Sequence, residues 1–246
     1  MNSPNPLLSF IIPTFNEERV LEATLHSLRQ LKAFSYEIII ADGNSKDKTL
    51  EIAHRMADKV VVWDKPARQT IALARNLGAR AAAGEYFVFL DADVSIPNMD
   101  EFFGKAVQKF IDDPRLSGLT AWRGIAPEYE TVADRVNFSI LTFGVYVMNN
   151  FLRMPNCWGE FQMMPAEKFR KVGGFDERMI AAEDMDMFIR LGKLGKTRLE
   201  PSLKFFESGR RVHKMGWPRA WWLWLGTGAK ARWFGKPRTA PWEVIR

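Results

Sequence analysis

Two aspartates separated by one residue, Asp91 and Asp93, directly follow the apolar run Tyr86–Leu90. Two carboxylates this close repel each other unless a cation lies between them. Hard oxygen ligands favour Mg²⁺ or Mn²⁺, and these ions keep coordination positions open for phosphate oxygens. The alternative for an isolated Asp-x-Asp is a solvated turn that begins a helix. The chemistry therefore depends on the elements that position this pair.

Short apolar runs alternate with amphipathic segments over the first 90 residues. Residues 7–12 and 36–41 are predicted strands, and the segment between them carries leucines at helical spacing. A second helix is predicted from Asp47, a strand over 60–62, a helix over 70–83 and a strand over 86–90. This alternation predicts an α/β fold with a mainly parallel sheet and helices on both faces.

Polar residues follow each of these four strands. They occupy positions 13–17, 42–45, 64–65 and 91–93. Ligands of open parallel sheets bind beyond the carboxyl ends of the strands, so the sequence predicts one crevice there. Further along, a helix is expected over 100–111, a strand over 116–122, a strand within 157–164 and a helix over 182–194; residues 128–152 give no clear pattern.

Length and composition favour one substantial folded domain. The chain has 246 residues, of which 47% are hydrophobic and 26% are charged, which is typical of a chain that buries a core. Its single cysteine, Cys157, excludes an intramolecular disulfide and a thiolate metal cluster and fits a reducing compartment. The first residues resemble no signal peptide, and no apolar run is long enough to span a bilayer. A cytoplasmic location is expected.

Positive charge is concentrated at the carboxyl end. Residues 196–246 carry twelve Lys and Arg against three Glu, a net +9, and they hold six of the nine tryptophans. Tryptophan beside Lys and Arg suits an anionic membrane interface, so residues 206–246 are a candidate for peripheral membrane contact. The alternative is a C-terminal helix that packs on the core with its cations in water.

Three segments match a known family in order and spacing: Phe10–Glu17, Ala41–Thr49, and Ala74–Gly78 through Gly84–Tyr86 to Asp93. They resemble family-two glycosyltransferases of the GT-A fold, and the acidic segment 182–186 resembles the motif of that family's acceptor half. The resemblance covers about residues 7–195. It implies a Rossmann-like GT-A domain over 1–205, with a nucleotide-binding half (about 1–95) and an acceptor half (about 96–205). A basic, Trp-rich helical extension over 206–246 would follow.

The resemblance assigns the nucleotide pocket residue by residue. Asp42 is expected to accept hydrogen bonds from the base, although an Asx-turn before Gly43 is an equally good interpretation. Arg75 and Asn76 are expected to line the diphosphate side, although Arg75 fits a solvated helix cation as well. The remaining nucleotide-binding candidates are Pro13, Thr14, Asn16, Glu17, Lys65, Arg68, Asp91 and Ala92.

The same resemblance implies a metal cofactor, Mn²⁺ or Mg²⁺. Asp93 is its expected principal ligand, and Asp91 is expected to contact the ribose, or the metal through water. His213 is a candidate for completing the metal site, because some GT-A enzymes use a downstream histidine. The alternative for a lone histidine is a surface or satisfied core residue.

Asp184 is the expected general base, which takes a proton from the acceptor hydroxyl as the hydroxyl attacks the anomeric carbon. Glu183 and Asp186 compete for this role, and all three acids also suit the start of a helix. Trp158 and Gly159 are expected near the donor sugar, although the indole fits the core equally well. Arg210 and Arg211 are expected to clamp the diphosphate.

Together these features predict an inverting, metal-dependent transferase. It would move one sugar from a nucleotide-diphosphate donor, with UDP favoured, to a hydroxyl of a glycan or glycolipid acceptor, on a lipid-linked or cell-envelope glycan. The alternative enzyme is a polyprenyl-phosphate glycosyltransferase with a lipid phosphate as acceptor. A processive synthase is disfavoured, because residues 208–217 lack the Gln-x-x-Arg-Trp motif. Nucleic acid is not an expected partner, because the crevice motifs are acidic.

Overall fold

The computed structural model describes residues 5–65 and 69–233. Its elements follow one another as β1 (Leu8–Thr14), α1 (Leu21–Leu28), β2 (Tyr36–Asp42), α2 (Thr49–Met56), β3 (Lys59–Val62), α3 (Ile71–Ala81), β4 (Tyr86–Leu90), α4 (Met99–Asp112), β5 (Leu116–Ile125), α5 (Val132–Asn150), β6 (Phe161–Pro165), α6 (Ala166–Lys171), α7 (Glu183–Gly192), β7 (Lys196–Glu207), α8 (Arg210–Met215) and α9 (Trp217–Trp233). The predicted α/β alternation of the first 90 residues is present.

A seven-stranded sheet forms the centre, in the order β3-β2-β1-β4-β6-β5-β7. β1 pairs in parallel with β2 and β4, and β2 pairs in parallel with β3. β6 runs antiparallel to both of its neighbours, and β5 and β7 are parallel to each other. The mainly parallel GT-A sheet with helices on both faces is confirmed.

Alternate residues of the buried strands face opposite sides of the sheet and build two cores. Phe10 and Ile12 belong to one apolar cluster and Ile11 to the other, as the two-residue period of a strand requires. α3 lies very close to β1: a Cβ built on Gly78 would come within 2.5 Å of Ile11 Cγ2. This close approach fixes the helix that carries Arg75.

The acceptor half contains three elements that the pattern did not predict, the short helix α6 (Ala166–Lys171) among them. The indistinct segment 128–152 contains the nineteen-residue helix α5, and β7 is a twelve-residue strand that pairs with β5. The β5–β7 register shifts between Ala121 and Trp122, where β7 passes through Pro201. Proline cannot donate to a ladder, so β7 does not present the uninterrupted pattern of a buried strand.

The C-terminal elements pack on the rest of the domain. Val212 of α8 and Ala220 of α9 share a buried cluster with Ile125 and with Phe138 of α5. β7 extends two residues beyond the expected boundary at 205, so the strand itself leads into the basic segment. Within the described residues, no helix combines the length and apolar character needed to cross a bilayer.

Candidate active site

A cavity of about 1200 Å³ lies where the carboxyl ends of β1, β2 and β4 meet. Seven carboxyl groups and five cations of the described residues line it. The acids are Glu17, Asp91, Asp93, Glu160, Glu183, Asp184 and Glu207, and the cations are Lys65, Arg75, Arg123, Arg210 and Arg211. Such a cavity needs an additional cation to accept a strongly anionic ligand.

The loop after β1 forms one end of the cavity. Pro13, Thr14 and Glu17 line it as expected, and Phe15 and Trp63 line it as well. A Cβ built on Gly43 would lie 3.2 Å from Phe15 Cδ2, so the ring packs tightly against this position. Neither aromatic residue was predicted from the sequence as a site residue. Trp63 directly follows β3, and ligands of parallel sheets bind beyond the carboxyl ends of the strands.

Asp42 is buried and does not belong to the cavity lining. Its carboxylate accepts hydrogen bonds from Thr14 Oγ1 at 2.7 Å, and from the backbone N and Oγ of Ser45, each at 2.7 Å. This is the Asx-turn alternative, which joins the loops after β1 and β2. Base recognition by Asp42 stays a prediction.

Asn16 and Asn76 also lie outside the lining. Asn16 Oδ1 accepts from the backbone N of Lys46 at 2.7 Å, so it ties the same two loops together. Asn76 donates to Phe175 O at 2.8 Å and accepts from Phe175 N at 2.9 Å. The expectation that Asn76 lines the diphosphate side is corrected: it clamps the segment before α7.

Lys65 lines the cavity, and its Nζ lies 5.1 Å from the centre of the Trp63 ring. Arg68 lies outside the described residues, so its predicted phosphate contact stays a prediction.

The Asp91-Ala92-Asp93 segment follows β4 and lines the middle of the cavity. Asp91 Oδ1 accepts from Arg75 Nη2 at 3.2 Å. Partial burial raises the pKa of Asp91 to about 6, against the opposing charge of Arg75 and with support from Glu160 and Asp93. A cation bound beside Asp91 and Asp93 would lower the pKa of Asp91, because it favours the charged carboxylate.

Arg210 binds both Asp93 and Glu17. Its Nη2 is 3.1 Å from Asp93 Oδ2 and its Nη1 is 3.0 Å from Glu17 Oε2. Burial raises the pKa of Glu17, and the cation of Arg210 opposes this rise. α8 thus supplies a positive charge to the acidic cluster of the amino-terminal half.

The donor set fits a metal that arrives with a phosphate ligand. Among residues 5–65 and 69–233, no three His, Cys, Asp or Glu side chains come close enough together to hold a metal alone. Mg²⁺ and Mn²⁺ are commonly held by one or two carboxylates, with phosphate and water completing the shell. Asp91 and Asp93 can supply those carboxylates.

His213 does not join this set. Its Nε2 lies 2.9 Å from Asp134 Oδ2 on α5, and Trp217 Nε1 donates to Asp134 Oδ1 at 2.8 Å. His213 is also absent from the residues that line the cavity. The expectation of a metal ligand at His213 is corrected: the ring joins α8 to α5.

Arg75 is buried at the centre of the site. Nη1 lies 3.0 Å from Glu183 Oε1, and Nη2 donates to Gly159 O at 2.7 Å as well as to Asp91. The solvated-cation alternative is therefore wrong. Arg75 connects the Asp91 segment with the start of α7.

Asp184 faces the cavity next to Glu183. Burial and the charge of Glu183 raise the pKa of Asp184 to about 7, against the opposing charge of Arg75. Asp186 does not line the cavity, and it pairs with Arg190 at 2.6 Å. Glu183 also lines the cavity and burial raises its pKa, but its carboxylate is paired with Arg75. Asp186 is paired with Arg190 outside the lining. Asp184 lines the cavity with its pKa raised to about 7.

Gly159 and Trp158 line the cavity beside Asp184. A Cβ built on Gly159 would lie 3.1 Å from Asp184 Oδ2, so a larger residue would press on the carboxylate of Asp184. The Trp158 ring lies 5.0 Å from the guanidinium of Arg123. The indole borders the cavity and packs against the core. Its contact with a donor sugar stays a prediction.

Arg123, Glu160 and Glu207 form a second buried ionic cluster in the lining, which the sequence did not reveal. Arg123 Nη2 lies 2.9 Å from Glu160 Oε1 and 2.7 Å from Glu207 Oε1. Burial raises the pKa of Glu207 to about 7, against the charge of Arg123. These residues come from β5, the segment before β6, and β7, so no local motif marks them.

Arg211 also lines the cavity, and burial lowers the pKa of its guanidinium. Arg210 and Arg211 thus both reach the site, as expected. Their contact with a diphosphate stays a prediction.

Residues 9–173 match the family described as Glycosyl transferase family 2. Over 192 residues the chain is 30% identical to the "Succinoglycan biosynthesis protein ExoA" of Rhizobium meliloti, which covers 75% of this chain and 58% of the relative. It is 35% identical over 98 residues to a "PGL/p-HBAD biosynthesis glycosyltransferase" of Mycobacterium tuberculosis, over 39% of this chain and 38% of that protein. The chain thus spans less than two thirds of either relative.

Solved structures show the same fold. "Mannosyltransferase PcManGT from Pyrobaculum calidifontis in complex with GDP-Man and Mn2+" superposes with a TM-score of 0.69 at 22% identity, over 92% of this chain and 63% of that one. The glucosyl-3-phosphoglycerate synthase of Mycobacterium tuberculosis was solved in complex with Mn²⁺, UDP and glucosyl-3-phosphoglycerate. It superposes with a TM-score of 0.59 at 20% identity, over 86% of this chain and 75% of that one. With the family match over residues 9–173 and this shared fold, the chain belongs to glycosyl transferase family 2.

Proposed function

We propose that this protein transfers a single sugar, with inversion, from a nucleotide-diphosphate sugar to an acceptor hydroxyl on a lipid-linked or cell-envelope glycan. One observation carries the proposal. Asp184 and the Asp91–Asp93 pair line the same cavity, and Arg75 connects the two groups through Asp91 and Glu183.

Different residues of the cavity would bind the different parts of the donor. Pro13, Thr14, Phe15 and Trp63 would enclose the nucleoside, and Arg210 and Arg211 would contact the diphosphate. Asp91 and Asp93 would hold the divalent ion, which offsets the charge that develops on the leaving diphosphate.

Asp184 would accept the proton of the attacking hydroxyl. The acceptor oxygen forms its bond to the anomeric carbon as the bond to the diphosphate oxygen breaks, and this single displacement inverts that carbon. The raised pKa suits a base that must hold the proton afterwards. Glu183 and Arg75 would act as positioning residues, because they fix the start of α7.

The ligands bound in the related structures support a divalent metal as cofactor and UDP as the nucleotide of the donor. The PcManGT structure contains GDP-Man and Mn²⁺, the glucosyl-3-phosphoglycerate synthase structure contains Mn²⁺ and UDP, and S. aureus TarS was solved with UDP. We favour UDP, and either Mn²⁺ or Mg²⁺ would serve. The unpaired Cys157 and a nucleotide-sugar donor fit a cytoplasmic location.

Calorimetric titration of UDP and of GDP, each with Mn²⁺, with Mg²⁺ and with EDTA, tests the proposal. Tight binding of one nucleotide only in the presence of metal, lost in Asp93→Ala, is expected. Asp112→Ala is the matched control, because Asp112 lies at the exposed end of α4. Failure of both nucleotides to bind under every condition would overturn the proposal.

The second candidate is a transferase to a polyprenyl phosphate, at a membrane contacted peripherally through residues 206–246. It is favoured by the basic charge of this segment and by Trp222, which is 84% exposed. A phosphate acceptor is already ionised and needs little base catalysis. Asp184→Asn would therefore retain most of the activity with a lipid phosphate and lose most of it with a hydroxyl acceptor. Cosedimentation with anionic and with neutral vesicles tests the membrane contact.

A further inference from the structure

The cavity continues past Asp184 into an apolar groove between α5 and α9. Its walls are Ile140, Leu141 and Val145 on α5, and Trp221, Trp224 and Leu225 on α9. These six residues carry no ionisable group, whereas twelve other residues of the lining are charged, and the nearest of these to the groove that the contacts show is Arg123, 5.3 Å from the Trp224 ring. Two environments of such different polarity in one cavity indicate a ligand with a charged and an apolar part.

The groove begins directly at the candidate base. α9 crosses the start of α7, where a Cβ built on Gly228 would lie 3.0 Å from Met185 Cε. Met185 is the residue after Asp184 and also lines the cavity. When a reacting group is bound at Asp184, the chain attached to that group can therefore extend into the groove.

The groove opens at the surface through apolar side chains. Ile140 is 56% exposed and Leu225 is 60% exposed, although both line the cavity. Val136 and Phe143, about one turn from Ile140 on α5, are 51% and 57% exposed and lie outside the lining. Exposed apolar side chains that continue into a cavity mark a path along which an apolar ligand leaves water.

The charge of the neighbouring segment suits an anionic head group. Residues 210–233 contain six Lys and Arg and no Asp or Glu, and Arg211 lines the cavity. Trp221 Nε1 donates to Asn137 Oδ1 at 2.7 Å. This bond joins α9 to α5. It also satisfies the indole N–H, so Trp221 presents an apolar surface to the groove.

We infer that the α5–α9 groove binds the hydrocarbon chain of a membrane-derived, phosphate-bearing lipid acceptor, so that the end of the lipid to be glycosylated lies at Asp184. The inference rests on the proposed transfer function for the identity of the reacting end. Chain binding itself is independent of catalysis. It can be measured without a donor.

The probes are farnesyl phosphate, which has a long isoprenoid chain, and isopentenyl phosphate, which has a single isoprene unit. Both are titrated calorimetrically below the micelle-forming concentration. Farnesyl phosphate is expected to bind at least about tenfold more tightly, because only its chain is long enough to bury apolar surface along the groove.

Two mid-helix glycines provide a matched pair of variants. A Cβ on Gly144 of α5 or on Gly104 of α4 would meet nothing within 4 Å, and only Gly144 lines the cavity. Glutamine is a better helix former than glycine, so both variants should fold. Gly144→Gln is expected to weaken farnesyl phosphate binding about tenfold and leave isopentenyl phosphate unchanged, because it places a polar group in the groove. Gly104→Gln should change neither affinity.

A second pair repeats the comparison with exposed isoleucines. Ile140→Gln should weaken chain binding, and Ile111→Gln should not, because Ile111 is 60% exposed on α4 and lies outside the lining. Equal affinity for the two phosphates, or equal effects within each pair, would overturn the inference. A concentration-dependent dimer that Gly144→Gln abolishes would also overturn the inference, because the groove would then bind a second copy of the chain.

Titration of UDP with Mn²⁺ on the same variants separates this inference from the proposed function. If the nucleotide binds and the chain does not, the groove assignment fails and the transferase proposal stands. If the chain binds and no nucleotide does, the transferase proposal fails and the groove assignment stands.

Discussion

Arg75 of α3 and Glu183 of α7 form a buried ion pair, with Nη1 and Oε1 3.0 Å apart. The two residues are 108 positions apart in the sequence. The pair joins the helix of the nucleotide-binding half to the helix that begins with the candidate base. The other arm of the same guanidinium binds Asp91 and Gly159 O.

Arg75→Met is expected to lower the free energy of unfolding by roughly 3–5 kcal/mol, because it leaves the buried carboxylate of Glu183 without its counter-ion. Urea denaturation measures the change. Arg80→Met is the control on the same helix, since Arg80 is 59% exposed and pairs with Glu177 at 3.4 Å. A loss of less than about 1 kcal/mol for Arg75→Met, similar to the exposed control, would contradict the structural role.

Asp184→Asn is expected to lower kcat with a hydroxyl acceptor by about a hundredfold to ten-thousandfold, because the proton acceptor is removed. In the wild type, kcat should rise with pH through about 7, the pKa to which burial raises Asp184. Asp186→Asn should keep this profile, because Asp186 pairs with Arg190 outside the cavity. A flat pH profile between 5 and 8 would remove Asp184 from the role of base.

The same carboxyl group makes stability depend on pH. Its pKa is higher in the folded protein than in the unfolded chain, so its stabilising contribution is complete below about 4 and is lost as the pH rises through about 7. Asp184→Asn removes this dependence. We expect the variant to be more stable than the wild type at pH 8 and to lose that advantage towards pH 4, as followed by thermal unfolding. An advantage of equal size at both pH values would point to another cause.

Gly159→Ala tests the close approach of Gly159 and Asp184. The added methyl group would lie 3.1 Å from Asp184 Oδ2 and 3.5 Å from Arg75 Nη2. We expect kcat to fall about tenfold, because a small misplacement of a catalytic group is costly. Gly104→Ala, in open space on α4, should keep full activity and gain up to about 1 kcal/mol of stability. Full activity of Gly159→Ala would show that Asp184 tolerates displacement.

Arg210→Gln tests competition between the guanidinium and a metal for Asp93. Without a nucleotide, Arg210 neutralises Asp93 and Glu17 at 3.1 and 3.0 Å. Its removal should strengthen binding of Mn²⁺ alone about tenfold, since two carboxylates lose their cation. Electron paramagnetic resonance of free Mn²⁺ measures this affinity. Arg219→Gln on α9 is the control, and equal affinities in both variants would exclude competition.

Asp134→Asn tests how α8 and α9 are fixed on α5. Burial disfavours the charge of Asp134, but hydrogen bonds from His213, Thr131 and Trp217 outweigh this effect and lower its pKa to about 2. The stabilisation is therefore present above about 4 and is lost as the pH falls through about 2.

We expect Asp134→Asn to lower the free energy of unfolding by about 1–3 kcal/mol at pH 7. The difference from the wild type should shrink between pH 4 and pH 2. Denaturation monitored by tryptophan fluorescence measures both quantities, with Asp112→Asn as the control. No change at pH 7 would mean that the helices are held by their apolar contacts alone.

The architecture of the amino-terminal half could be predicted from local features of the sequence. Strand ends are local features, and parallel strands bring their carboxyl ends to one edge, so the alternation of elements was enough to place the Asp91–Asp93 segment and the loop after β1 at a common crevice. The resemblance added Asp184, and the structure brings this residue to the same cavity. Its catalytic role stays a prediction.

The pairing of the charged residues depends on how distant segments pack in the folded protein. Arg75 and Glu183 are far apart in the chain, and Arg123 finds Glu160 and Glu207 only because β7 pairs with β5 around a proline-interrupted register. Asn76 and His213 follow the same rule, because their hydrogen-bond partners come from other segments and occupy the polar atoms that a motif alone would assign to a ligand. Asp42 combines a distant partner, Thr14, with the local Ser45. The apolar groove arises in the same way, since α5 and α9 are separate along the chain and enclose a common space only when α5 packs on β5 and α9 packs on α7.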